Sequence, residues 1–168
     1  MKKLIVLFML ACFASAAFGQ GKMACCRQSA TRQFAMLASG KAFRNAHKVP
    51  LKLHFQSSIG KAITYKTPDG RTANAYLFRA KRTTSNYLLV VHEWWGLNDW
   101  VKKESEKLYN DIGNVNVIDL DLYDGKVAAT RDEAGKYMQA VKDDRAQAII
   151  KGAIAYAGPH AHIATIGW

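Results

Sequence analysis

The sequence predicts an α/β protein in which helices cover both faces of a mostly parallel sheet. From Tyr87 onward, apolar runs alternate with amphipathic stretches of helical period, which is the pattern of parallel strands joined by right-handed helical crossovers. Before that alternation, two β-rich runs flank Pro68-Asp69-Gly70, which predicts a hairpin at the start of the sheet. In such sheets ligands bind beyond the carboxyl ends of the strands.

The strands are predicted from short runs of apolar and β-branched residues. AITYKT and TANAYLFRA form the hairpin, because proline fixes φ and glycine accepts a positive φ in the turn between them. The continuous apolar run YLLVV is expected to be a strand covered on both faces. VNVIDL and HIATI are predicted to be two further buried strands.

Capping residues and apolar periodicity predict three helices among these strands. The first helix is capped by Asn98 or Asp99. The second begins with a capping box formed by Thr130 and Glu133. The third has two aspartates, residues 143–144, in its first turn. The expected buried face of each helix is apolar: Val101, Leu108 and Ile112; then Ala134, Tyr137, Met138 and Val141; then Ala146, Ile149, Ile150, Ala153, Ile154 and Ala157.

Residues 1–19 are predicted to be a secretory signal peptide. Lys2 and Lys3 precede a short apolar run, and Ala17-Phe18-Gly19 offers small residues at the −3 and −1 positions of a cleavage site. The apolar run is too short to span a membrane, and a lipoprotein signal through Cys12 is disfavoured because Leu10 stands where a small residue is needed. We therefore expect an exported protein, periplasmic or secreted, without membrane association after cleavage.

Residues 20–58 are predicted to form an N-terminal extension that packs on the main domain, residues 59–168. A short helix beginning near Ser29 or Thr31 is expected in this extension. Three apolar residues would cover one side of that helix: Phe34, Leu37 and Ala38.

Two cysteines, the adjacent pair Cys25-Cys26, remain after removal of the signal. In an oxidising compartment a free pair is unusual, so a metal or redox site with His47 and His54 as further ligands stays open as an alternative. The spacing matches no standard ligand pattern, and we expect no metal. The corresponding alternative function is a non-catalytic secreted binding or interaction module.

The charge of the chain is positive but dispersed. Loss of the signal, which carries Lys2 and Lys3 and no acidic residue, lowers the formal net charge from +11 to +9. Lysine and arginine are scattered along the sequence without a basic run or interleaved aromatic residues. This pattern favours a solvated surface over nucleic-acid binding.

The first candidate site is His92-Glu93-Trp94-Trp95-Gly96, directly after the YLLVV strand. A carboxylate among apolar groups at this edge would gain proton affinity and be suited to proton transfer. The alternative is that Glu93 only fixes the loop and that both tryptophans cover the core.

The second candidate site is DLDLYDG, Asp119 to Gly125. Its acidic residues lack the spacing of calcium ligands in a calcium-binding loop. We therefore expect Asp119 and Asp121 to organise the loop after their strand.

Four runs of the sequence resemble the amino-terminal half of dienelactone hydrolase family proteins: LLVVHEWWGLNDWVKKESEKLYNDIGNVNVIDLDLYDGK, TRDEAGKYMQAV, AIIKGAIAYAG and IATIGW. The most specific part is Glu-x-x-Gly-Leu-Asn, Glu93 to Asn98, together with Asp-Leu-Tyr after the next strand. The resemblance is greatest to exported members with a Cys-Cys pair and a short extension. It implies an α/β-hydrolase fold and a Cys-His-Asp triad that acts on a small-molecule ester or lactone, without a cofactor.

The resemblance also implies roles for three residues. Glu93 corresponds to the glutamate that helps to generate the thiolate of the nucleophile, and the Trp94 backbone N–H corresponds to an oxyanion donor. Arg131 corresponds to an arginine that receives a substrate carboxylate. Gly167-Trp168 fills the first two places of the nucleophile motif Gly-x-Cys-x-Gly-Gly, so the nucleophile would be the residue after Trp168. We therefore expect a partial fold without its C-terminal strands, inactive as it stands and poorly stable alone.

Overall fold

The structure is a computed structural model that describes residues 29–168. The predicted signal peptide and the Cys25-Cys26 pair lie outside the described residues. The described helices are α1 (Ala30–Ser39), α2 (Lys41–Ala46), α3 (Asp99–Ile112), α4 (Arg131–Ala140) and α5 (Asp143–Ala157), and the strands are β1 (Gly60–Lys66), β2 (Thr72–Phe78), β3 (Asn86–Val91), β4 (Asn116–Leu120) and β5 (His162–Gly167).

The described strands form one mixed sheet in the order β1-β2-β4-β3-β5. β1 and β2 form the predicted hairpin, whose turn includes Gly70 at φ 78°. β2 is antiparallel to β4, whereas β3 runs parallel to β4 on one side and to β5 on the other. The carboxyl ends of β3, β4 and β5 therefore lie at one edge, as the predicted fold class requires.

Helices cover both faces of the sheet, and alternate strand residues point to opposite faces. Leu88 and Val90 of β3 pack with Val101 and Tyr109 of α3 in one apolar cluster. Leu89 joins a second cluster on the opposite face, against α5. The predicted two-sided burial of β3 is confirmed.

Helix α3 begins after Asn98, so Asn98 is the cap of the two predicted candidates. Its side-chain oxygen accepts hydrogen bonds from the backbone N–H groups of Trp100 and Val101. The prediction that Ile112 is buried is wrong, since its side chain is exposed. Tyr109 instead completes the buried face and donates its hydroxyl to the Arg79 carbonyl at 3.1 Å.

Helix α5 approaches the sheet through a glycine. A Cβ atom added at Gly152 would lie 2.7 Å from the Lys66 carbonyl oxygen of β1. Because the backbones are this close, Gly152 and Ala153 face the sheet, and the predicted burial of Ile154 is wrong.

Helix α1, which starts with Ser29 as its cap, packs on α4. Ala38 is buried there, opposite Gly135, whose added Cβ would lie 4.0 Å from the Ala38 carbonyl oxygen. The predicted burial of Phe34 and Leu37 is wrong, since both are exposed. The contact between the two helices is made by small residues.

Strand β5 is more exposed than predicted. It pairs with β3 alone and so lies at an edge of the described sheet. Only Ile163 is partly buried in this strand, and Ile166 is exposed. The prediction of a buried strand is therefore wrong for the described chain, because β5 has a neighbouring strand on one side only.

Asp119 does not organise the loop after β4, contrary to the prediction. It is fully buried on the α3 face of the sheet, beside Ser105. The Ser105 hydroxyl lies close enough to favour the ionised carboxyl, yet no hydrogen bond with good geometry joins the two groups in the described chain. Burial dominates and raises the pKa of Asp119 to about 8.

We expect Gly152→Ala to lower the free energy of unfolding, measured by urea denaturation. The new methyl group would overlap the Lys66 carbonyl, and overpacking costs about 1 to 3 kcal/mol. That cost exceeds the gain in helix propensity of about 1 kcal/mol. Gly135→Ala is the matched control: its methyl group has room, so the same gain should stabilise the chain. Equal effects of the two substitutions would contradict the close packing of α5 on β1.

We expect Asp119→Asn to stabilise the protein increasingly as the pH rises from 4 to 8. A carboxyl whose pKa is about 8 in the folded state keeps its proton while the unfolded chain loses it, so the wild type loses stability over this range. The amide has no proton to lose, and the difference between the variants should grow by up to roughly 1.4 kcal/mol per pH unit. Urea denaturation at each pH measures the free energy of unfolding of both proteins. If the difference between them did not depend on pH, Asp119 would be ionised in the core.

Candidate functional site

The candidate site is formed by the loops that follow β3 and β4 at the carboxyl edge of the sheet. The loop after β3 contains His92, Glu93, Trp94 and Trp95, and the loop after β4 contains Tyr123. Trp94, Trp95 and Tyr123 belong to a third apolar cluster, which also includes residues of α1 and α4. The N-terminal extension is thereby packed against the edge where the sequence predicts ligand binding.

His92 joins the two loops. Its Nδ1 lies 2.7 Å from the Glu93 carbonyl oxygen, and its Nε2 accepts a hydrogen bond from the Leu122 backbone N–H at 3.1 Å. These partners place the proton on Nδ1, and burial lowers the pKa of His92, which keeps the ring neutral. The loops are therefore held at a fixed separation by an uncharged imidazole.

Asp121 and Gly96 fix the shape of the same two loops. The Asp121 carboxylate accepts hydrogen bonds from the backbone N–H groups of Tyr123 and Gly125, as predicted for this residue. Gly96 has φ 88°, and an added Cβ there would lie 2.5 Å from the Lys126 carbonyl oxygen. Only glycine allows the loops to approach this closely.

Glu93 is half-buried, and the hydrogen bonds of residues 29–168 include none to its carboxylate. Burial raises the pKa of Glu93, and the nearby His47 opposes this rise. The Glu93 charge in turn adds to the effect of burial in raising the pKa of the Tyr123 hydroxyl. The carboxylate has the increased proton affinity that the sequence predicts for this position.

Trp94 is buried next to Glu93, and neither of its N–H groups has a partner among residues 29–168. Its carbonyl oxygen accepts a hydrogen bond from the Tyr123 hydroxyl at 3.2 Å. Within the described chain, its backbone N–H donates no hydrogen bond, and its indole Nε1 is buried without a partner. The geometry leaves a backbone donor available beside the Glu93 carboxylate.

Arg131 lies next to this group because it contacts the N-terminal extension. Its Nε donates a hydrogen bond to the His47 carbonyl oxygen at 3.1 Å, and the His47 ring lies 5.5 Å from the Trp94 ring. The hydrogen bonds and ion pairs found among residues 29–168 do not involve the terminal Nη atoms of Arg131. The structure thus brings Arg131, Trp94 and Glu93 into one neighbourhood.

His47 is the site residue whose position sequence reasoning missed. The sequence suggests it only as a metal ligand with the cysteine pair, whereas the structure packs it against Trp94. No spacing signal could have revealed this, since the contact depends on how α1 and α2 pack on the domain. Within the described residues, no group of three His, Cys, Asp or Glu side chains could hold a metal ion.

A cavity of about 250 Å³ lies on another side of Tyr123, and Glu93 does not line it. Lys126 and Lys142 line it, together with Arg145, which is bonded to Asp69 and Asp124. The cavity is therefore separate from the Glu93 site.

Among the described helices, none is long and apolar enough to cross a membrane.

Strand β5 brings the end of the described chain to the same edge. Gly167 is paired with Val91, the last residue of β3, and Trp168 follows with an exposed side chain. If this register continues, Trp168 lies level with His92, and the next position lies level with Glu93.

Several solved structures are similar to this chain, and three of them, described next, each have a TM-score of 0.50. The protein m3DLH is 21% identical over 66% of this chain. A dienelactone hydrolase from Klebsiella pneumoniae subsp. pneumoniae is 19% identical over 65%, and P91, a dienelactone hydrolase-like promiscuous phosphotriesterase from metagenomic libraries, is 19% identical over 66%. This chain shares their fold.

The comparison supports the predicted α/β-hydrolase fold. The chain spans 50% of the length of each of the three structures. No protein-family model matches the sequence, and no curated protein sequence matches it. The roles of individual residues therefore depend on the geometry of the site.

We expect His92→Gln to reduce the loss of stability that the wild type undergoes below pH 6.5. Burial lowers the pKa of His92 from its usual 6.5, so at lower pH the unfolded chain takes up a proton that the folded state resists. Stability contributed by the neutral ring is therefore present above pH 6.5 and lost as the pH falls through the lower folded value. Urea denaturation between pH 5 and 7.5 measures this slope. His160→Gln, at an exposed turn, is the control and should show the same dependence of stability on pH as the wild type. If His92→Gln also showed the wild-type dependence, the buried neutral ring would be contradicted.

Proposed function

We propose that this chain is the amino-terminal half of an exported hydrolase of the dienelactone hydrolase type, which cleaves an ester or lactone bond in a small molecule. The observation that carries the proposal is the register of β5 on β3, in which Val91 lies opposite Gly167. Continued by two residues, this register puts the position after Trp168 level with Glu93. That position is the nucleophile in the motif Gly-x-Cys-x-Gly-Gly.

Glu93 would activate the nucleophile as a base. A thiol beside it would transfer its proton to the carboxylate, which gives a thiolate and a neutral carboxyl group. Because burial raises the proton affinity of Glu93 and described residues donate no hydrogen bond to it, the carboxylate is suited to accept this proton. The thiolate would then attack the carbonyl carbon of the substrate.

The free Trp94 backbone N–H would stabilise the negative charge that this attack places on the carbonyl oxygen. A preorganised backbone donor of this kind needs no rearrangement during the reaction. Tyr123 holds the Trp94 carbonyl oxygen, which fixes the peptide plane on one side of the site. A second donor, and the His and Asp of the triad, would belong to the carboxyl-terminal half.

Arg131 would bind a carboxylate on the substrate. Its Nε is already bonded to the His47 carbonyl oxygen, which fixes the plane of the guanidinium group. The Nη atoms then remain for a ligand, and a guanidinium group binds a carboxylate through two parallel hydrogen bonds.

Sequencing the encoding DNA beyond the Trp168 codon tests the proposal directly. An in-frame Cys-x-Gly-Gly supports the proposal, whereas a stop codon contradicts it for this gene product. Determination of the N-terminus of the protein recovered outside the cytoplasm tests export, and a start at Gln20 is expected.

In the longer protein we expect Glu93→Gln to lower kcat for 4-nitrophenyl acetate and dihydrocoumarin by about 10² to 10⁴. The amide cannot accept the thiol proton, although it preserves the shape of the side chain. Glu104→Gln, on α3, is the matched control and should leave kcat unchanged. Initial rates across pH give the measurement, and full activity of Glu93→Gln would remove Glu93 from the mechanism.

We expect Arg131→Gln to raise KM for an ester that carries a carboxylate, by about tenfold or more, and to leave a neutral ester unaffected. The substitution removes a charge-assisted hydrogen bond between Arg131 and the ester carboxylate, which is worth about 1.5 to 3 kcal/mol. An equal effect on both esters would indicate that Arg131 supports the fold instead. A phosphotriester is included among the substrates, because the structural neighbour P91 acts as a phosphotriesterase.

A further inference from the structure

We propose that His47 is a positioning residue of the Glu93 site: the segment before the first strand delivers an imidazole that supports Trp94 and sets the charge around the Glu93 carboxylate. This inference rests on the proposed function for its catalytic meaning. Its physical basis is a set of contacts that join residues far apart in the sequence.

The His47 ring is fixed within its own segment. Its Nδ1 lies 2.7 Å from the Phe43 carbonyl oxygen, and its ring stacks on the Phe43 ring with centroids 4.0 Å apart and an interplanar angle of 28°. A carbonyl oxygen can only accept, so the Nδ1 atom of the ring carries a proton and donates it to the Phe43 carbonyl oxygen.

The same ring is packed against the candidate site. Both aromatic rings of this segment meet Trp94 edge to face, Phe43 at 5.2 Å and His47 at 5.5 Å between centroids. Arg131 donates to the His47 carbonyl oxygen and so ties the segment to the start of α4. Three contacts from different parts of the chain therefore hold the imidazole beside Trp94 and its neighbour Glu93.

Two opposing influences act on Glu93 at this place. Burial raises its pKa, and His47 lowers it, as a positive imidazolium close to a carboxylate must. The other groups that face Glu93 do not replace this charge: His92 is held neutral, and burial raises the pKa of the Tyr123 hydroxyl, which keeps it protonated. Arg131 also carries a positive charge in this neighbourhood, with its Nε bonded to the His47 carbonyl oxygen.

This opposition has a chemical use in the proposed reaction. A base must be ionised before the substrate arrives and yet have enough affinity to take a proton from a thiol. Burial alone would favour the neutral carboxyl group, and full exposure would make it a weak base. The charge of His47 favours the ionised carboxylate without removing Glu93 from its apolar surroundings.

The test is a ¹³C NMR titration of the Glu93 side-chain carboxyl, with its signal assigned through Glu93→Gln. Two variants of His47 are compared, each screened for an unchanged fold by its amide spectrum. His47→Gln removes the charge and should raise the Glu93 midpoint by about one pH unit, whereas His47→Lys retains a positive charge at this place and should leave the midpoint close to the wild-type one. His54→Gln, in the same segment, is the control and should leave the midpoint unchanged.

A raised midpoint in His47→Gln together with a wild-type midpoint in His47→Lys supports the inference, since a merely structural role would move the midpoint in both variants. A rise in both variants, or no rise in His47→Gln, overturns it. In the longer hydrolase, the acidic limb of the kcat/KM profile should follow the NMR midpoints. The titration requires no hydrolysis, so loss of the proposed activity and loss of the His47 effect are observed separately.

Discussion

The parallel pairing of β3 with β4 on one side and β5 on the other determines where Glu93 and Trp94 of the candidate site lie. It brings three carboxyl ends to one edge of the sheet, so the loops that follow these strands must share a small volume. His92 and Gly96 then set the separation between two of these loops, one through a neutral ring and the other through a missing side chain. Glu93 is half-buried because of this crowding. Its chemistry follows from the order of the strands.

Features encoded by near neighbours in the sequence were predictable. The Pro68-Asp69-Gly70 turn, the cap at Asn98 and the capping box at Thr130 each depend on a few adjacent residues, and all are present. Glu93 could be identified as a candidate because it directly follows an apolar strand. Local chemistry thus gave the fold class and the centre of the site.

Features that depend on packing between distant segments were not predictable. The position of His47 against Trp94 depends on how α1 packs on α4, and that contact is made by Ala38 and Gly135, which carry no strong pattern. The direction of Asp119 was misjudged because a strand buried on both faces shows no alternation of polar and apolar residues. Gly152 likewise carries no sign in the sequence that a backbone lies beside it.

Two acidic groups of the same part of the sheet illustrate how location decides protonation. Asp119 lies in the core under α3, where burial raises its pKa to about 8 and outweighs the opposing charge of Lys102. Glu93 lies at the edge, where burial is partial and His47 opposes it. The first carboxyl is therefore suited to remain protonated in the core, and the second to exchange a proton with a ligand.

The exposed outer side of β5 has a consequence for the behaviour of the chain in solution. A strand that is bonded on one side presents a row of free backbone donors and acceptors on the other, and here that row is accompanied by the exposed side chains of Ile166 and Trp168. Such an edge accepts any extended segment of suitable length, including the same strand of another copy. Self-association through the β5 edge should therefore become more favourable as the concentration of the chain rises.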